Sequence, residues 1–151
     1  MISTVSLWQY KFIMKPSFEQ VRKSTANSQL TQVTLNLPEF EPYWHFHPEF
    51  ELTYIISGSG KRIVGDSIDL FYPGDLVLLG PDLPHTWNSV NNDNQEGSCR
   101  AVVFQFSEKL IPGRAEEFPE FNNVHRLLEM ARRGVSFKNV ISTLTGKKLI
   151  Q

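Results

Sequence analysis

Short segments in which apolar and polar residues alternate, separated by turn residues, run through the middle of the sequence. Val33, Leu35 and Leu37 alternate with polar neighbours and stop at Pro38, as expected for a half-buried strand. Further segments and glycine-containing turns recur at intervals of about ten residues, which is typical of a β-sandwich or barrel. The later predicted strands cover 52–56, 61–64, 68–71, 76–79 and 101–106, with turns at 57–60, 65–66 and 73–74.

After the last of these strands the period changes from two to that of a helix. Four apolar residues fall at i, i+3, i+4 and i+7 and predict one helix face, which Gly134 would close. A second helical pattern follows. The first face consists of Val124, Leu127, Leu128 and Ala131, and the second pattern contains Val140, Ile141 and Leu144.

The chain therefore divides into three predicted parts. Residues 1–28 show no steady periodicity, and their polar end predicts an N-terminal arm or loop. Residues 29–108 would form the β-barrel, interrupted by a polar loop at 91–97. Residues 109–151 would form a C-terminal helical segment of one or two α-helices.

Composition narrows the class of protein. At 151 residues, 40% of them hydrophobic, the chain is long enough for one globular domain with a core. A formal net charge of -1 lacks the basic excess expected of a domain that binds DNA through its phosphates. The single cysteine, Cys99, allows no internal disulfide and favours the cytoplasm, where we expect it as a small buried side chain. No apolar run approaches the length of about eighteen residues that a membrane span needs.

The segment 44–58, WHFHPEFELTYIISG, carries the most distinctive chemistry. His45, His47 and Glu51 are spaced by two and four residues, so a strand can direct all three to one face, and His85 offers a fourth donor. Imidazole and carboxylate ligands suit Zn, Ni, Fe or Mn, and such a set leaves coordination positions open. The residues favour equally an alternative to the metal site. In this alternative they are polar residues at a barrel mouth, hydrogen-bonded to each other and to water without a metal.

Aromatic side chains flank the same residues and suggest the wall of a small-molecule pocket. Trp87 has the parity of His85 and should point with it into the cavity, whereas Trp44 and Phe46 should point to the other face of a regular strand. Tyr54 is a further candidate for ligand contact. The sequence contains no GxSxG elbow, glycine-rich phosphate loop or CxxC pair, so nucleophilic catalysis has no motif to support it.

Two spacings resemble the motifs of the cupins, small β-barrels whose metal, when present, is held by three His and one Glu. His45-x-His47-x3-Glu51 followed by Gly58 has the spacing of the first motif, and Gly74 with His85 eleven residues later has that of the second. The chain departs from the usual signature outside the ligand positions. Glu39 replaces a leading Gly, while Gly80, Asp82 and Ser89 replace the Pro, Gly and Asn of the second motif.

Residues 30–150 more specifically resemble the amino-terminal half of AraC-family bacterial transcription regulators. The resemblance rests on the stretch from HFHPEFELTYIISGSG to LPHTW, then AVVFQF, and FPEF ahead of LLEMARRGVSF. It implies a cupin-like double-stranded β-helix (jelly-roll) barrel that senses a small effector. The following helices would form a homodimer, and DNA would be contacted only through a missing carboxy-terminal helix-turn-helix half.

The same resemblance implies which residues bind the effector and lowers the expectation of a metal. A divalent metal, not required for the predicted function, would bind His45, His47, Glu51 and His85. Lys61 or Arg62 could pair with an acidic group of the effector, although we expect both to be exposed to solvent. The alternative function is a metal-dependent cupin dioxygenase or isomerase. The expected effector contacts are His45, His47, Glu51, Tyr54, His85 and Trp87.

Overall fold

The alternating segments form a mainly β structure of two five-stranded sheets. The computed structural model describes residues 15–23, 25, 27–89, 99–111 and 121–137. The strands are β1 Ser17–Phe18, β2 Leu30–Leu37, β3 His45–Phe46, β4 Phe50–Ser57, β5 Gly60–Val64, β6 Ser67–Phe71, β7 Leu76–Leu79, β8 His85–Ser89, β9 Cys99–Phe106 and β10 Val135–Phe137. A 3-10 turn covers Glu108–Leu110, and one helix, α1, covers Asn122–Ala131.

The strand order makes a jelly-roll barrel, as predicted. One sheet has the order β1-β3-β8-β5-β6 and the other β10-β7-β4-β9-β2. All neighbours pair antiparallel except β1 and β3. Each of the six predicted strands is present and extends at most three residues beyond its predicted start.

Cys99, the first residue of β9, lies in the core beside the hairpin between β4 and β5. Gly58 has φ +98°, a left-handed conformation, and a Cβ there would lie 2.7 Å from Cys99 Sγ. Glycine suits this turn because it tolerates positive φ and leaves room for the thiol. Cys99 is 5% exposed and packs with Phe40, Ile55, Phe71 and Ala101, which confirms its expected burial.

Helix α1 covers the outer face of the second sheet. Its apolar side packs against Phe50 and Leu78, with Leu128 and Ala131 buried, as the periodicity predicts. The helix ends at Ala131, and Gly134 follows at φ +79° and donates its N–H to the Ala131 carbonyl. The predicted end of the helix is confirmed.

In the predicted C-terminal segment 109–151, α1 is followed by a strand, β10, that was not predicted. Val135–Phe137 forms a strand that pairs antiparallel with β7, directly after the turn that ends α1. Three residues are too few to show a period of two, so this strand could not be predicted from the residue pattern. The loop at 91–97 and the second helical pattern at 140–144 lie outside the described residues.

Arg62 is buried, contrary to the expected solvent exposure. The residue is only 5% exposed, and its guanidinium forms an ion pair with Asp75, with Asp69 Oδ2 3.6 Å away. Alternation along β5 explains the difference, because neighbouring side chains point to opposite faces and Lys61 takes the exposed one. In the described ranges, no helix is long and apolar enough to cross a membrane.

Candidate functional site

The two sheets bring the four predicted polar residues together at one end of the barrel. His45 begins β3 and pairs in register with His85 of β8, while Glu51 lies on β4 in the opposite sheet. One ligand atom from each of His45, His47, Glu51 and His85 lies within 4.8 Å of the others. We call these four residues the polar cluster.

The chain reaches the polar cluster without the single continuous strand that its spacing suggested. β3 contains only His45 and Phe46, and the chain passes Pro48 before β4 begins at Phe50 in the other sheet. His47 lies in this crossing segment and is 2% exposed. The even spacing therefore still converges on one point, but from two sheets.

Backbone carbonyls orient all three imidazole rings. Nδ1 of His45 lies 2.7 Å from the Tyr43 carbonyl oxygen, and Nδ1 of His85 lies 2.8 Å from that of Leu83. Nδ1 of His47 similarly lies 3.2 Å from its neighbour's carbonyl, that of Glu49. Because a carbonyl only accepts, each Nδ1 carries the proton and each ring directs Nε2 toward the cluster centre.

Glu51 is the shared partner of these rings. Its Oε2 lies 3.0 Å from His47 Nε2 and 3.7 Å from His85 Nε2, and Thr53 donates its hydroxyl to Oε1 at 2.7 Å. Burial would raise the pKa of Glu51, but the hydrogen bonds from His47 and Thr53 and the proximity of the His85 imidazole hold it well below its usual value. The carboxylate is therefore ionised although only 4% of the residue is exposed.

Two of the histidines gain basicity from neighbouring carboxylates. Burial lowers the pKa of His47, but the hydrogen bond and charge of Glu51 outweigh it and raise the pKa above its ordinary value. Burial likewise opposes the rise at His45, where the Glu19 hydrogen bond and the Tyr43 carbonyl dominate. The neighbouring carboxylates therefore favour the protonated forms of His45 and His47.

Two residues of the site were not predicted. Gln105 on β9 lies opposite Glu51 in register, and its amide nitrogen is 3.1 Å from Glu51 Oε2 and 3.3 Å from His47 Nε2. Glu19 follows β1, and its Oε2 lies 3.3 Å from His45 Nε2, an interaction that lowers the pKa of Glu19. Gln105 has the same parity as Ala101 and Val103, and this could have predicted that its side chain points between the sheets. No local sequence pattern places Glu19 beside His45.

A cavity of about 420 Å³ extends from the polar cluster between the sheets. His45, Glu51 and Gln105 form its polar end, while His47 and His85 are not among the lining residues. Residues from β2, β4 and β9 and the segment before β3 form the apolar wall. The apolar residues of this wall are Val33, Leu35, Leu37, Phe40, Ile55, Ala101 and Val103, and Val21 also lines the cavity.

The predicted aromatic contacts divide between the two faces. Trp87 lines the cavity and its ring centroid is 5.7 Å from that of His85, as their shared parity predicts. Tyr54 is buried but does not line this cavity, since it alternates with Thr53 and Ile55, which do. Trp44 and Phe46 do not line it either.

The donor set fits a divalent metal. The three Nε2 atoms and one carboxylate oxygen converge, and His85 Nε2 is buried with no hydrogen-bond partner in the described part of the chain. Unpaired buried nitrogen is uncommon in folded proteins and is consistent with a ligand atom. A metal held by His45, His47, Glu51 and His85 would supply a Lewis-acid centre at the polar end of the cavity.

Solved structures with similar folds include ToxT and a cupin barrel protein. An apo ToxT variant from Vibrio cholerae matches with a TM-score of 0.52 and 13% identity, covering 82% of this chain and 46% of ToxT. ToxT from Vibrio cholerae bound to (E)-4-(8-methylnaphthalen-1-yl)but-3-enoic acid has a TM-score of 0.48 and 10% identity, covering 80% and 49%. A Cupin 2 conserved barrel domain protein from Salinispora arenicola has a TM-score of 0.45 and 15% identity, covering 60% and 73%.

These similarities concern the fold, and this chain spans less than half of the length of the ToxT variant. No curated protein matches the sequence. A model of the AraC-like ligand binding domain matches residues 30–113, more than half of the chain and all of the strands from β2 to β9. The polar cluster and most of the residues that line the cavity lie within this match, and the chain belongs to the AraC-like ligand binding domain family.

Proposed function

We propose that this chain is the effector-sensing domain of an AraC-type transcriptional regulator and binds a small molecule between its two sheets. The observation that carries the proposal is the cavity, which combines an apolar wall with a polar end inside the family match. Its volume of about 420 Å³ is in the range of small-molecule sites. The proposed activity is therefore binding, without catalysis.

The lining defines the chemical class of the effector. Its apolar body would contact the wall formed by β2, β4 and β9, and its polar group would face His45 and Gln105. Trp87 Nε1 is buried without a hydrogen-bond partner among the described residues. An acceptor group of the effector would receive a hydrogen bond from this N–H. We therefore expect an amphipathic molecule with a hydrogen-bond-accepting or acidic group.

A short series of hydrogen bonds connects the polar cluster to α1. Asp82 donates its backbone N–H to the His47 carbonyl at 2.8 Å, and His85 Nδ1 contacts the Leu83 carbonyl in the same loop. At the start of that loop, Gly80 donates to the carbonyl of Ala131 in α1 at 2.6 Å. An effector that moves this loop would therefore change the position of α1.

In the regulator, the helical segment 109–151 would join two copies of the chain. DNA would be contacted through a helix-turn-helix half outside these 151 residues, in the cytoplasm. Coupling between effector and DNA requires that the effector bind one dimer arrangement more tightly than the other. Helix α1 is the described element through which this difference would pass.

Thermal melting tests the effector proposal directly. The probes are a panel of monosaccharides and aromatic carboxylic acids, and a ligand present at a hundred times its Kd should stabilise the protein by about 2.7 kcal/mol. Val33→Phe fills the cavity wall and should abolish the shift. Thr34→Phe is the matched control, because Thr34 is exposed on the other face of β2.

Two outcomes would contradict this proposal. One is a wild-type melting temperature that no member of the panel raises. The other is a ligand-induced shift that persists in full in Val33→Phe, since the ligand would then bind elsewhere. Circular dichroism of both variants shows whether the barrel has formed before any shift is interpreted.

A metal-dependent cupin enzyme is the second candidate function. The unpaired His85 Nε2 among three further ligand atoms favours it. Elemental analysis of protein purified from medium supplemented with Zn, Ni, Fe and Mn tests its first requirement. Less than about one-tenth of a metal ion per chain would reject the enzyme, whereas a stoichiometric ion that is lost in His85→Ala would support it.

A further inference from the structure

We propose that Gln105 sets the affinity of the polar cluster for divalent cations by competing with them for two ligand atoms. The proposal concerns metal binding alone and holds whether or not an organic effector is found. It assigns a role to a residue outside the four potential ligands. Gln105 is placed there by the pairing of β9 with β4.

The amide of Gln105 lies where a cation would have to contact the cluster. Its Nε2 is 3.1 Å from Glu51 Oε2 and 3.3 Å from His47 Nε2, within hydrogen-bond distance of both. An amide nitrogen carries two hydrogens and offers no lone pair to a metal. The amide nitrogen therefore donates hydrogen bonds to the lone pairs that a metal requires, and it cannot itself coordinate the metal.

The orientation of the amide follows from its partners. The Glu51 carboxylate is ionised and only accepts hydrogen bonds, and the Nδ1 of His47 already faces a carbonyl. With neutral His47, Nε2 accepts from Gln105. With protonated His47, Nε2–H donates to Glu51, 3.0 Å away. Nε2 of His47 is occupied in both states.

The four potential ligand atoms differ in their hydrogen-bond partners. Gln105 bonds to Glu51 Oε2, and His47 Nε2 is bonded by Gln105 when His47 is neutral and by Glu51 when it is protonated. His45 Nε2 faces the Glu19 carboxylate at 3.3 Å. Only His85 Nε2 has no hydrogen-bond partner in the described ranges. A cation must break the Gln105 contacts to reach two of its four ligands, so the amide lowers the affinity of the whole set.

The opposite role would require the amide to turn over and present Oε1 as an additional ligand. That arrangement would make Gln105 strengthen metal binding, so the two roles predict opposite effects of its removal. The observed contacts favour competition, because the nitrogen faces two acceptors. A binding measurement on a variant without the amide separates the two roles by sign.

The experiment compares the chelator-treated 151-residue protein with Gln105→Leu, which keeps a similar volume and removes both hydrogen bonds. Titration with Co²⁺, followed by calorimetry and by ligand-field absorption, gives the Kd and reports the donor set. Gln105→Leu should bind Co²⁺ at least about tenfold more tightly than the wild type, as expected when competing hydrogen bonds to charged groups are lost.

Gln32→Leu is the matched control. Gln32 is exposed on β2 and is absent from the cavity lining, so its replacement should leave the Kd for Co²⁺ unchanged. Equal or weaker binding by Gln105→Leu would overturn the proposal, and so would the absence of Co²⁺ binding by both proteins. If Gln32→Leu also binds Co²⁺ more tightly than the wild type, the effect is due to added hydrophobicity in general, and the proposal is rejected.

A second measurement keeps the proposal testable if Gln105→Leu does not fold. Zn²⁺ is titrated into the wild-type protein, and the side-chain amide of Gln105 and the imidazoles of His45 and His47 are followed by NMR. The Gln105 signal should shift over the same Zn²⁺ concentrations as the imidazole signals, because its hydrogen bonds break as the metal binds. A Gln105 signal that stays unchanged while the imidazoles shift overturns the proposal.

Discussion

At the scale of single residues, the structure depends on buried charges that each have a defined counter-charge. Glu51 faces His47, and Arg62 faces Asp75. All but Asp75 are less than a tenth exposed. Replacing a buried pair with apolar residues is often neutral, but removing one member leaves the other uncompensated. Single substitutions at these positions should therefore be costly.

Glu51→Gln should lower the free energy of unfolding by about 3 kcal/mol, because the substitution keeps the shape but removes the charge that balances His47. Urea denaturation at neutral pH measures the change. Glu108→Gln, at an exposed carboxylate, is the control and should change stability by less than about 0.5 kcal/mol. Equal stability of Glu51→Gln and the wild type would show that the pair contributes nothing.

Arg62→Ala should also destabilise the protein by about 3 kcal/mol, since Asp75 would lose its buried partner. The adjacent Lys61 is exposed, and Lys61→Ala should change stability by less than about 0.5 kcal/mol. Denaturation midpoints of the two variants give the comparison. Similar losses from both would contradict the assignment of Arg62 as the buried member of the pair.

The residues of the polar cluster were predictable from the sequence because their types and spacing are distinctive. Glu19 was not, and only the parity of Gln105 with Ala101 and Val103 marked Gln105, since each meets the cluster through strand pairing that joins residues more than twenty positions apart. Glu51 and Tyr54 are three positions apart on β4, so alternation along the strand directs their side chains to opposite faces. This rule alone would have separated Tyr54 from Glu51. The same rule would have shown that Lys61 and Arg62 cannot both be exposed.

At the scale of secondary structure, α1 protects the apolar outer face of the second sheet. Leu128 is 5% exposed and lies against Phe50 and Leu78, whereas Met130, two residues later, is 60% exposed. A Cβ on Gly80 would lie 2.7 Å from Arg132 Cα, so the helix end approaches the sheet closely. The helix and the strand β7 therefore form one packed unit.

Leu128→Ala should lower the free energy of unfolding by about 3 kcal/mol, through lost burial and the cavity left behind. Met130→Ala, on the exposed face of the same helix, should change it by less than about 0.5 kcal/mol. Chemical denaturation of both variants tests this difference. A small effect at Leu128 would mean that α1 is not docked in solution as described.

Elements were predictable where their pattern is long and regular. β2, with eight residues, and α1, with ten, both follow their sequence period over most of their length. β1 and β10 have two and three residues, and each exists only because a neighbouring strand provides hydrogen bonds. A period cannot be read from so few positions.

At the scale of the whole molecule, the proposed homodimer joins barrels through the helical segment. The monomer mass is 17.4 kDa, so sedimentation equilibrium should give twice that mass at micromolar concentrations. Met130→Lys places a charge on the exposed face of α1 and should shift the equilibrium to the monomer. Tyr72→Lys, at an exposed residue directly after β6, should leave the dimer intact.

Two results would contradict this arrangement. A wild-type protein that sediments as a monomer at all concentrations would remove the dimer itself. A dimer that dissociates in Tyr72→Lys and persists in Met130→Lys would place the interface on the barrel. Neither result would contradict the proposed effector cavity, because neither Met130 nor Tyr72 lines it.

The edge position of β2 has a consequence for how fast the cavity can exchange its contents. β2 supplies three apolar wall residues, yet among the described strands it pairs only with β9 and is the last strand of its sheet, whereas β9 pairs on both sides. Transient separation of β2 breaks one row of hydrogen bonds, so it is the cheapest opening of the wall. Amide hydrogen exchange in residues 30–37 should therefore set an upper limit on the association rate of any molecule that enters through this side.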